Sequence, residues 1–63
     1  MAMRDDMKRV RERWPEACEV HDPWRGRWAV WTSPNGSHIA GAPTKAIAWK
    51  HAAHYAQAKY QSP

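Results

Sequence analysis

The chain has 63 residues, a formal net charge of +4, a single cysteine, and five tryptophans with no phenylalanine. A chain of this length supports one small domain, 1–63, burying only about 60% of the surface its unfolded form exposes. Cys18 has no second cysteine to pair with, no apolar run is long enough to span a bilayer, and the charged start Met1–Asp6 does not have the pattern of a signal peptide. Sparing use of cysteine fits a reducing compartment, so a cytoplasmic protein is expected.

The charge is unevenly placed. Residues 1–22 carry five basic and six acidic side chains, whereas residues 23–63 carry five basic and no acidic ones. A basic segment without acids suits a polyanionic partner, and it also keeps a small domain soluble.

Arg4 to Trp14 reads as a helix. Met3, Met7, Val10 and Trp14 recur on one face, Asp5 and Asp6 complement the start of the helix dipole, and Arg11 and Arg13 its end. Asp5 with Arg9 and Lys8 with Glu12 are spaced to interact along the opposite face. Pro15 ends the segment by biasing Trp14 away from helix. Ala17 to His21 alternates as a short strand, and Asp22–Gly26 follows as a turn punctuated by Pro23 and Gly26. Arg27 to Thr32 is the clearest strand, β-branched and aromatic. Ser33-Pro34-Asn35-Gly36 predicts a hairpin turn, because Asn-Gly accepts positive φ angles. Ser37 to Ala40 is the returning strand. Pro43-Thr44 starts a second helix, either with Thr44 as the cap or with Pro43 at the first helical position. That helix is expected to reach about Tyr60, with 61–63 as a frayed end. Trp49, Ala52, Ala53, Ala56 and Tyr60 form its core face, and Ile47, His51, His54 and Ala58 form a second stripe.

The order is α-β-β-β-α, an α+β class with a small three-stranded antiparallel sheet covered on one face by helices. The inner sheet face is expected to carry Cys18, Val20, Trp28, Val30 and Ile39. The outer face is expected to carry Glu19, His21, Arg27, Trp31 and His38.

The residues that most suggest a site are Trp24, Arg25, Arg27 and Trp31. Arginine meets phosphate and an indole stacks on a base, and the same two residue types dominate protein interfaces. Trp28 falls at a core position. Lys45 and Lys50, at the start of the second helix, extend the basic surface. His51 and His54 share a helix face but lack the companion ligands of a zinc site, so no metal or other cofactor is expected. Cys18 sits at an inward position, where a thiol is usually inert, and no acid–base pair is recognisable, so no enzyme is expected. The Ile47, His51, His54 stripe is a candidate seam for a homodimer or another partner.

The α-β-β-β-α order and the segment Lys45-Ala46-Ile47-Ala48-Trp49-Lys50-His51-Ala52-Ala53 resemble the double-stranded RNA-binding domain. The resemblance implies phosphate contacts from the first helix, the Pro23–Arg27 loop and the start of the last helix. Gly26-Arg27-Trp28-Ala29-Val30, Asn35-Gly36 and Thr44-Lys45-Ala46-Ile47-Ala48-Trp49 also resemble the arm-type DNA-binding domain of phage-type tyrosine integrases. There a three-stranded sheet enters the major groove, which makes Arg27 and Trp31 the implied readers. In style, the short Trp- and Ala-rich chain is similar to phage and mobile-element accessory proteins, many of which bind and block a host protein. The sequence thus predicts a binding module for DNA or RNA, with a host protein as the alternative partner on the same aromatic surface and no membrane contact.

Overall fold

The computed structural model describes the backbone of residues 2–61 and the side chains of residues 3–57. The chain runs α1 (Ala2–Arg13), β1 (Cys18–Asp22), β2 (Arg27–Trp31), β3 (His38–Ala42) and α2 (Lys45–Gln61). The strands form one antiparallel sheet in the order β1-β2-β3. This is the α+β arrangement that the sequence predicts. Residues 62 and 63 of the expected frayed end lie outside the described residues, as do the side chains of Ala58 and Tyr60.

Helix α1 buries the face that its spacing predicts. Val10 is fully buried, and Met3, Met7 and Trp14 pack partly buried against the core. The Trp14 N–H still donates to the Val10 carbonyl at 2.7 Å, so the last helical bond is made just before Pro15 stops the helix. Arg11 then ties the exit loop down: its Nε donates to the Ala17 carbonyl, and its guanidinium lies 5.3 Å from the centre of the Trp49 ring. Among the described residues, Asp5–Arg9 and Lys8–Glu12 do not close into ion pairs. Such exposed pairs gain little to offset the lost side-chain freedom.

Both turns form where expected, one of them by a different route. Thr32 and Ser37 pair across Ser33–Gly36, and the Gly36 N–H donates to the Ser33 carbonyl at 3.0 Å. Neither Asn35 nor Gly36 has a positive φ. Pro34 instead presets the first central position of an ordinary β-turn, and Gly36 follows because a Cβ there would collide with the Thr32 and Ser33 hydroxyls. In the β1–β2 turn, Gly26 does take a positive φ, 61°.

Helix α2 starts from a Thr44 cap: the Ile47 N–H donates to Thr44 Oγ1 at 3.3 Å, and the Ala48 N–H donates to the Thr44 carbonyl. This resolves the two start sites left open by the sequence in favour of Thr44. The helix lies against β2, β3 and α1. Ala48, Ala52, Ala53 and Ala56 are buried with Ala40 and Ala42 of β3, so small side chains bring helix and sheet close while Trp49, with no exposed surface, fills the centre.

The faces of β1 are the reverse of those expected. Glu19 pairs with Val30, which is fully buried, and His21 pairs with Trp28. Glu19 and His21 therefore point to the helix side, and Cys18 and Val20 to the open side, where Val20 is 42% exposed. The cause is visible in the contacts. The Trp49 indole N–H needs an acceptor, and Glu19 Oε1 accepts it at 2.9 Å, while His21 stacks on Trp28 with ring centres 4.4 Å apart. In β3, the expected assignment holds. A bulge opposite Val30–Trp31 lets Ile39 pack on the core while His38 stays beside Trp31 on the open side.

Candidate functional site

Strand register assigns the open face of the sheet. Val20, Asp22, Arg27, Ala29, Trp31, His38 and Gly41 alternate with the residues buried under α2, so they point away from the helices. Together with His21, Pro23, Arg25 and Trp28 they line a shallow recess of about 360 Å³. Its floor is made of small or apolar side chains. At one side the Trp31 and His38 rings meet edge to face, centres 6.2 Å apart at 82°. The His38 ring reaches across Gly41, where an added Cβ would stand 3.4 Å from Nε2.

The other end of the recess is the β1–β2 turn. Asp22 Oδ1 accepts from the backbone N–H groups of Trp24 (3.1 Å) and Arg25 (3.3 Å), which locks the turn by a local side-chain cap. Gly26 closes it with its positive φ. The turn presents Trp24 to solvent at 94% exposure. Arg25 lies beside it, 3.9 Å from Asp22 Oδ2, with a side chain 79% exposed. An ion pair that long and that exposed leaves the guanidinium available to a stronger partner. Arg27 is exposed, and among the described residues its guanidinium makes no ion pair or hydrogen bond.

Arg25, Arg27 and Trp31 line this recess, Trp24 stands exposed on the turn at its end, and Lys45 and Lys50 lie elsewhere. Lys45 is on the helix side, 3.6 Å from Glu19 Oε2 and 4.9 Å from the centre of the Trp28 ring. It closes over a structural cluster rather than the open face. Lys50 lines a separate groove between α1 and α2, with Asp6, Arg9 and His54. Ile47, His51 and His54 do form an exposed strip of α2, with Ile47 41% exposed. Among the described residues, no three His, Cys, Asp or Glu side chains group as metal ligands. Cys18 is half-buried on the open side, not inward as its place in the alternation predicts.

Sequence reasoning missed Val20, Ala29 and Gly41 as parts of this surface. None carries a chemical signal of its own, and Val20 was drawn inward by its apolar character. No family model, curated protein or solved structure matches the chain. Among the described residues, no helix is long and apolar enough to cross a membrane.

Proposed function

We propose that the protein is a small nucleic-acid-binding module whose ligand meets the β1–β2 turn and the adjoining open sheet face through Trp24, Arg25, Arg27 and Trp31. The observation that carries this reading is the near-complete exposure of Trp24 next to the exposed Arg25, on a turn capped by Asp22. An exposed indole offers a flat face on which a base can stack, and arginine near it suits the phosphates of a ligand whose bases meet the ring. Residues 23–63, which contain the whole cluster, carry no acid. The test is a binding titration of DNA and RNA across salt concentrations. Affinity should fall steeply with salt as counterions are released, and the absence of binding at low salt would end the proposal.

A second reading is favoured by the floor of the recess, where Val20, Ala29 and Trp31 are uncharged. On this reading the surface docks a host protein and blocks it, as phage and mobile-element accessory proteins do. It predicts a defined protein complex that is insensitive to salt and lost on Trp24→Ala, with no nucleic-acid binding by the unaltered protein.

A further inference from the structure

Resting on the nucleic-acid reading, we infer that the ligand is taken as a single strand, with an unpaired base stacked on Trp24 and the adjoining backbone crossing Arg25 and Arg27 toward the recess. Two observations separate this from duplex binding.

The first is the state of the tryptophans. Trp14 has Arg13 over its ring, Trp28 has His21 and Lys45, Trp31 has His38, and Trp49 has Arg11 and Glu19. Among the described residues, Trp24 is the one indole with no ring partner, and it is 94% exposed. Both of its faces are open. A base in a duplex already has its faces covered by its neighbours, so stacking on Trp24 would require unstacking it first. A base in a single strand carries no such cost.

The second is the chemistry of the sheet face. Reading a duplex through the major groove takes protruding donors and acceptors that reach base edges. The centre of this face is Val20, Ala29 and Gly41, which carry none, and it is recessed. An apolar floor bounded by Trp31 and His38 suits the flat face of a splayed base, and Arg27 at its border suits the phosphate that follows. The charge is complementary: Arg25 and Arg27 are exposed, and Asp22, the acid on this side, is engaged by the turn it caps.

The experiment is fluorescence anisotropy with labelled oligonucleotides of about 10 nucleotides, within the usual span of small single-strand binders. Single-stranded DNA, single-stranded RNA and the matching duplex are compared at the same salt. The intact protein should bind one or both single strands at least about tenfold more tightly than the duplex, with the relative affinity of the RNA and DNA arms identifying the natural strand. Trp24→Ala should weaken single-strand binding by about tenfold or more, and Trp24→Phe should restore part of it, because stacking needs an aromatic face. Circular dichroism melting of Trp24→Ala, expected to match the parent, separates loss of binding from loss of fold. A duplex bound as tightly as the single strands, or a Trp24→Ala variant with unchanged single-strand affinity, would overturn the inference and leave the nucleic-acid reading standing. No binding of any oligonucleotide by the intact protein would overturn both.

Discussion

Trp49 and Glu19 meet across the helix–sheet interface, the buried indole N–H donating to the carboxylate at 2.9 Å. Thirty residues apart in the chain, they decide which way the edge strand β1 faces. A fully buried indole without an acceptor would leave a desolvated donor, and among the described residues no buried side-chain polar atom lacks a partner. Glu19→Ala should therefore destabilise the domain by about 1–3 kcal/mol in urea unfolding. Glu19→Gln, which keeps an acceptor and loses only the exposed pair with Lys45, should cost less than about 1 kcal/mol. Equal losses in the two variants would show that the charge and not the hydrogen bond matters.

Trp24 makes the opposite prediction. Its ring touches nothing that holds the fold, so Trp24→Ala should leave stability within about 0.5 kcal/mol of the parent. Nucleic-acid affinity should drop by about 1–3 kcal/mol in the same variant. A large fall in thermal midpoint would mean that the indole supports the turn.

Arg27 should act through charge. Arg27→Ala should reduce the slope of log affinity against log salt by about 0.7–0.9, the share of one phosphate contact. Lys45→Ala should leave that slope unchanged, because Lys45 lies on the helix side with Glu19 and Trp28. Salt titrations of the two variants check both statements.

The Thr44 cap gives a stability prediction with a built-in control. Thr44→Ala removes the acceptor of the Ile47 N–H and should cost about 1 kcal/mol, while Thr44→Ser should be nearly neutral. Denaturant midpoints of the pair would measure it.

Gly26 tests the turn that carries Trp24 and Arg25. At φ 61° an L side chain is strained though space is open, so Gly26→Ala should lose about 1 kcal/mol of stability. Gly26→Asn should lose less, since Asn tolerates this conformation. If the turn orientation matters for binding, Gly26→Ala should also weaken oligonucleotide affinity in the same titration.

Much of this architecture is legible locally. The periodicity of Met3, Met7, Val10 and Trp14 marks the buried face of α1, the Pro and Gly residues mark both turns, and Thr44 marks the start of α2, because each of these signals acts within a few residues. The Ser33–Gly36 turn shows the limit of such reading. Asn35-Gly36 suggests one turn type, but Pro34 presets another, and the two share nearly the same residues.

The chain by itself determined the order of elements, the alanine-rich helix and an acid-free basic half containing a Trp/Arg cluster. Tertiary structure alone decided which members of that cluster stand together. Arg27 and Trp31 share the open face, with Trp24 and Arg25 on the turn at its end, whereas Lys45 meets Glu19 on the other side. The reason is that strand parity is a two-way choice, made by what the opposing helix requires. Alternation in β1 favours burying Cys18 and Val20, but the indole of Trp49 needed an acceptor, and Glu19 could supply it only by turning inward. That choice put Val20 on the outside and left an uncovered, small-residue sheet face beside the exposed Trp24.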